Sequence, residues 1–238
     1  MDFQTVMNRF VEGLEYIDQT HKTPQKGRKV AAYHPGVANM YETTVRNHLL
    51  EWWQNEKSSD LLNNSKIDKE HKYPDDLNKS CDLVLSGFDW HSQSEWEWAI
   101  EIKRIQFIGD NGNNNDYGVG KLLSPYRKDR SLANDIIKLQ QSPIAKKKAV
   151  IAYVFNYSFE TCDIAEKLHP SETKVTDALR EVCKLNDPLN GIIDSKDLIE
   201  VVEFSLKQWG VNLNSVVKNF EAWTSPTGGR GVLFGWEV

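Results

Sequence analysis

Glu101 and Lys103 stand two residues apart inside "EWAIEIKRIQF" (97–107), among Ile100, Ile102 and Ile105. In an extended strand, residues i and i+2 share a face, so both charges leave the sheet on the same side. Placing ions there costs desolvation free energy unless they have partners or chemistry to perform. The segment "CDLVLSGFDW" (81–90) is a second strand candidate, and "HSQS" after it is a turn candidate. With Ser92-Gln93 as a two-residue turn, Asp82 is expected opposite Lys103 and Val84 opposite Glu101. An even-numbered slip in register, for example through a bulge at Gly87, keeps Asp82, Glu101 and Lys103 on one patch.

Two carboxylates beside an ammonium group suit metal-assisted hydrolysis of a phosphodiester. The acids supply hard oxygen ligands for Mg²⁺, which retains several waters and completes its shell with substrate phosphate. The ion acidifies water and offsets charge developing on the phosphate. A neighbouring lysine can orient the attacking water and add positive charge to the transition state. The bland alternative is a cross-strand ion pair on a solvated face, with Asp82 as a partner for Lys103. Other chemistries find less support. The six histidines lack metal-ligand spacing, and no P-loop, Rossmann fingerprint or G-x-S-x-G is present.

An acid on one strand followed by acid-x-Lys on the next resembles the PD-(D/E)XK nuclease superfamily, which includes many restriction endonucleases. Here Asp82 and the tripeptide Glu101-Ile102-Lys103 carry the match, with 19 residues from acid to acid and Cys81 where a proline is usual. Glu42, three and seven residues ahead of Val45 and Leu49, matches a glutamate often found on the helix before the hairpin. The resemblance covers roughly residues 38–156. It implies a restriction-endonuclease-like α/β fold, a mixed sheet flanked by helices in a single domain. It also implies Mg²⁺, with Mn²⁺ able to substitute, held by Asp82, Glu101 and the Ile102 carbonyl. Lys103 would position the water, and Glu42 would support the site or a second metal. The implied substrate is double-stranded DNA, cut by a two-fold homodimer where the target is palindromic. Gln140 and Gln141 lack a tyrosine four residues on, unlike the exonuclease-like branches.

Three further acid-x-Lys tripeptides, beginning at Glu70, Glu172 and Asp194, read as polar loops or helix starts, without strand context. Pro74-Asp75-Asp76 falls beyond the end of the expected hairpin.

Around these motifs, apolar spacing predicts an amphipathic helix over 1–18 and another in "VANMYETTVRNHLLEWWQNE". Residues 57–80 read as a connecting loop, and "GDNGNNNDYGVG" (109–120) carries turn chemistry. A helix over 129–141, a buried strand over 148–155 and a helix over 171–185 follow. Strands are expected at "LIEVVEFSL" (198–206) and "RGVLFGWEV" (230–238). Residues 1–37 form an N-terminal helix and basic loop, and 38–238 the nuclease-like region of one α/β domain.

The net charge of −5 hides a segregation: residues 121–148 carry +6 and 20–35 carry +4, leaving about −15 for the rest. A polyanion-binding face explains this as well as two solvated basic loops do. Lys22, Lys26, Arg28, Lys29, Arg127, Lys128 and Arg130 are the candidates to grip DNA phosphates, contacts that position a duplex without reading its sequence. Three widely spaced cysteines and no apolar run of membrane-spanning length suggest a reduced, cytoplasmic protein without a membrane partner. Two rivals remain: a structure-specific repair or recombination nuclease, and a non-catalytic nucleic-acid-binding protein on a nuclease fold.

Overall fold

The structure, a computed structural model, describes residues 1–21, 36–61, 67–86, 96–106, 131–156, 195–208, 210–222 and 230–238, with isolated positions between. The basic residues Lys22, Lys26, Arg28, Lys29, Arg127, Lys128 and Arg130 lie outside the described residues. So do the turn at Ser92-Gln93, the loop 109–120 and most of the helix expected over 171–185.

Helix α1 (Phe3–Thr20) buries Phe3, Val6, Met7, Phe10, Leu14 and Ile17, the 3.6-residue stripe its sequence predicts. Helix α2 (Glu42–Glu56) follows a short 3-10 turn at Val37–Asn39 and buries Val45, Leu49, Trp52 and Trp53. The two helices pack together, the Phe10 ring meeting Trp53 edge-on.

Six strands form one sheet: β1 (Ile67–Lys72), β2 (Ser80–Leu85), β3 (Trp96–Arg104), β4 (Ala145–Asn156), β5 (Val216–Glu221) and β6 (Arg230–Glu237). Their spatial order is β1-β2-β3-β4-β6-β5, with β3 and β4 parallel and every other pair antiparallel. A parallel pair needs a crossover connection, and helix α3 (Leu132–Gln141) lies within it, packing on β3 and β4. Alternation along β3 sends Trp98 to stack on Phe3 of α1 and Glu101 to the opposite face, where it meets Lys138 of α3. The fold is therefore a mixed α/β sheet with helices on both faces. Among the described residues no helix is long and apolar enough to cross a membrane.

Several expectations need correction. Residues 198–206 are not a strand but part of helix α4 (Ser195–Gln208), where Ile199, Val202 and Leu206 are buried at helical spacing. The valine-rich run carries strand propensity, and burial of one helical stripe overrides it. The segment 57–80 is not a plain loop. It contains β1, in which Glu70-His71-Lys72 lies, so that tripeptide does have strand context. Strand β5 likewise has no counterpart among the expected elements. In the β2–β3 hairpin Leu83 faces Ile100 and Val84 faces Ala99, so Val84 is not opposite Glu101. The register is displaced by two residues from the expected one. Continued, it sets Asp82 across from Glu101, not from Lys103, and the shared face survives because the slip is even.

Gly231 on β6 lies flat beneath the Phe220 ring, which a methyl group at that position would overlap. Phe220 is buried edge-on against Phe155, so its ring has little room to retreat. Gly231→Ala is expected to destabilise the fold by about 1–3 kcal/mol. Thermal unfolding checks this, as a fall in Tm of a few degrees.

Candidate functional site

The ladder between β2 and β3 ends at Leu83 and Ile100. Beyond it the Asp82 side chain takes over from the backbone: its Oδ2 accepts the Ile102 N–H at 2.9 Å. Its Oδ1 accepts from Arg46 of α2 at 2.9 Å, and the same guanidinium reaches Glu70 on β1 at 2.7 Å. Asp82 is thus anchored from two directions at the point where the strands part.

Glu101, buried in the middle of β3, takes two short hydrogen bonds on Oε1, from the Tyr73 phenol and the Lys138 ammonium, both at 2.6 Å. Lys138 also lies 3.3 Å from Asp135 Oδ1, and Lys103 lies 3.2 Å from Asp135 Oδ2. Helix α3 produces this arrangement. Ser131 caps its start by accepting the Asn134 N–H, which sets Asp135 and Lys138 one turn apart on one face. Glu42, in the first turn of α2, accepts the Arg104 N–H at 2.8 Å at the far end of β3. The Arg104 guanidinium bonds the carbonyls of Met40 and Ala38, tying the entry of α2 to the same strand end.

The electrostatics follow from burial and crowding. Burial raises the Glu101 pKa to about 7, with the negative charges of Asp82 and Asp135 adding to it and Lys138 and Lys103 opposing. Burial likewise raises Glu42, and the Lys103 charge pulls the other way. Burial alone would lower Lys103, but Asp135, Glu42, Glu101 and Asp82 outweigh it and push the ammonium well above its usual range. Lys138 is raised in the same manner by Glu101 and Asp135. Both lysines are therefore cations at neutral pH, able to donate and to stabilise charge but not to act as bases.

The structure brings Asp82, Glu101, Lys103 and Glu42 into one electrostatic cluster and adds Asp135, Lys138, Tyr73 and Arg46 to it. Asp135 sits in the apolar stripe of α3, next to buried Leu132, Ile136 and Leu139. A charge at that position is the signal that marks it in the sequence. Tyr73 immediately precedes Pro74-Asp75, so a segment expected to lie past the hairpin in fact borders the cluster.

Charge and ligand type suit a hard divalent cation. With all four carboxylates ionised, Glu42, Asp82, Glu101 and Asp135 against Lys103 and Lys138 leave two negative charges in excess, while Arg46 and Glu70 cancel each other; the raised pKa values of Glu101 and Glu42 relieve that excess by holding protons. Asp135 Oδ2 is buried and has no aligned hydrogen bond. Carboxylate oxygens are the donor type that a hard divalent cation such as Mg²⁺ takes. As the side chains stand, however, no three His, Cys, Asp or Glu converge as a ligand group among the described residues. Lysines, Arg46 and Tyr73 hold the carboxylates instead. No protein-family model matches the sequence, no curated protein matches it, and no solved structure matches its fold.

Proposed function

We propose that this protein is a Mg²⁺-dependent endonuclease that hydrolyses phosphodiester bonds in DNA on a restriction-endonuclease-like fold. The observation that carries this reading is the cluster of four carboxylates and two charged lysines where β2 and β3 part. Asp82, Glu101 and the Ile102 carbonyl would hold the ion, with Mn²⁺ able to substitute. When bound, Mg²⁺ supplies Lewis-acid activation of water and neutralises charge on the phosphate. The chain's own groups do the rest. Lys103, held as a cation, orients the attacking water and stabilises charge on the phosphate oxygens. Asp135 fixes Lys103 in place, and Glu42 adds a carboxylate at the end of β3. Arg46 orients Asp82, and Tyr73 and Lys138 orient Glu101.

One observation favours a second reading. The carboxylates of Asp82 and Glu101 already have cationic protein partners, as in a structural ion-pair network of a non-catalytic nucleic-acid-binding protein. Hydrolysis separates the two, since a network that only supports the fold cuts nothing. Within the enzymatic reading, cleavage of linear duplex at defined sequences marks a restriction-like enzyme, for which a two-fold homodimer suits a palindromic target. Cleavage confined to flaps or junctions marks a structure-specific one.

DNA engagement has its own expected outcome. At physiological salt the Debye length is ~8 Å, so phosphates against a basic segment barely sense acids on the far side of the protein. Replacing Arg127 and Arg130 together by alanine is expected to weaken duplex binding and reduce the salt slope by about one unit for each phosphate-binding side chain removed. Titration at several salt concentrations, with Ca²⁺ in place of Mg²⁺, measures both. Unchanged affinity and slope would place the DNA face elsewhere.

A further inference from the structure

A cavity of about 210 Å³ opens beside the carboxylate cluster, between helix α3 and the turn that joins β1 to β2. Helix α3 lines it with Asn134, Lys138 and Gln141, spaced to fall on one stripe, with Ile137 as the apolar member. The turn supplies Tyr73, Asp75 and Asp76. Two of these residues belong to both places: Tyr73 and Lys138 line the cavity and also hydrogen-bond Glu101. A nucleotide whose phosphate lies at the cluster therefore has its base within reach of the cavity.

We infer that this cavity receives one unpaired nucleobase of the nucleic acid being cut, and that it prefers guanine. The inference rests on the phosphodiesterase reading and names its substrate more closely. Pockets for drug-sized ligands run to roughly 300–1,000 Å³, so a smaller one suits a single ring system. Asp75 and Asp76 offer carboxylate acceptors, each held by one hydrogen bond: Ser142 Oγ, at the C-terminal cap of α3, donates to Asp75 Oδ1 at 2.6 Å, and within the turn the Asn78 N–H donates to Asp76 Oδ1 at 3.1 Å. Ionised carboxylates only accept. Guanine presents two adjacent donors, N1–H and the 2-amino group, on one edge, whereas uracil presents a single ring N–H. Lys79 lies 3.5 Å from Asp76 Oδ2, whereas Lys138 is already held by Glu101 and Asp135, so Asp75 is the lining carboxylate left to accept from a donor edge. Ile137 provides an apolar surface for the face of the ring. A base can enter only after leaving its stack, which costs least at a flap, a bubble or a strand end. The cavity thus moves the substrate toward DNA with an unpaired nucleotide beside the scissile phosphate.

The test is a titration of the metal-free, full-length protein with guanosine, adenosine, cytidine and uridine 5′-monophosphates and with ribose 5-phosphate. Side-chain amide NMR signals of Asn134 and Gln141 report occupancy. Guanosine monophosphate is expected to bind more tightly than uridine monophosphate by about fivefold or more, the size of one added hydrogen bond. Asp75→Asn, which keeps an acceptor for Ser142, removes that preference, and Gln141→Leu weakens all four nucleotides. Equal affinity for the four nucleotides, ribose 5-phosphate binding as well as guanosine monophosphate, or no binding at millimolar nucleotide would each overturn the inference. Lys103→Ala changes the cluster and leaves the cavity lining in place, so it is expected to weaken the four nucleotides alike through their phosphates and to keep the preference for guanosine monophosphate. A protein that binds guanosine monophosphate with this preference but never cuts DNA loses the nuclease reading and keeps the cavity. One that cuts but shows no preference loses only the cavity.

Discussion

Lys103→Ala is expected to lower Mg²⁺-dependent DNA cleavage by about a hundredfold to a thousandfold, the usual cost of removing one preorganised transition-state donor. The ammonium lies beside four carboxylates that keep it charged, and its contact with Asp135 at 3.2 Å holds it in the cluster. Its role in the proposed reaction is therefore positional and electrostatic. Asp135 keeps Lys138 as a partner after the substitution, so the fold should survive. Single-turnover cleavage, followed beside thermal unfolding and duplex binding in Ca²⁺, checks the split. Loss of the rate with retained binding and Tm is the expected pattern. A mutant that cuts at the wild-type rate would remove Lys103 from the chemistry.

The second large effect is on stability against pH. In the metal-free protein Glu101 ionises near pH 7, whereas its ordinary value is 4.5. Between those values the folded chain binds more protons at this position than the unfolded chain does. Stability therefore falls as pH rises through that window, and the contribution is constant below and above it. At about 1.4 kcal/mol per pH unit, the loss is on the order of 3 kcal/mol. Tm measured without divalent ions should drop between pH 5 and pH 8, and Glu101→Gln should flatten most of that slope. Glu42, which burial also raises, accounts for a residual slope of the same sign. Mg²⁺ should stabilise the protein more at pH 8 than at pH 5, because it pairs with the ionised carboxylate. A Tm that rises from pH 5 to pH 8 without metal would contradict this electrostatic picture.

The parts of the fold that are legible in the sequence are those whose burial is periodic. Helices α1 and α2 show a continuous apolar stripe, and β4 is a long apolar run with a polar start. Strand β1 is illegible because it is an edge: of its six residues only Ile67 is buried, and the rest carry charge or a histidine. Strand β5 alternates exposed and half-buried residues before a single buried Phe220, too weak a signal in isolation. The candidate site is half legible for a similar reason. Asp82, Glu101 and Lys103 come from one hairpin, so local pairing rules bring them together despite a register two residues off. Asp135 and Lys138 reach the same patch only because the β3–β4 crossover lays α3 over β3, a tertiary event that spacing along the chain does not encode. Tyr73 and Arg46 arrive by the same route, from elements that become neighbours only when the sheet is assembled.

The carboxylate–lysine cluster is proposed to cut phosphodiester bonds. Its most direct test is one gel in which wild type and Glu101→Gln meet supercoiled plasmid and a flap-bearing duplex, with Mg²⁺ or with chelator. Wild type with Mg²⁺ is expected to nick or linearise plasmid, or trim the flap, while Glu101→Gln and the chelated reactions leave both substrates whole. Intact substrates with wild type in both Mg²⁺ and Mn²⁺, or cleavage undiminished by Glu101→Gln, would contradict it.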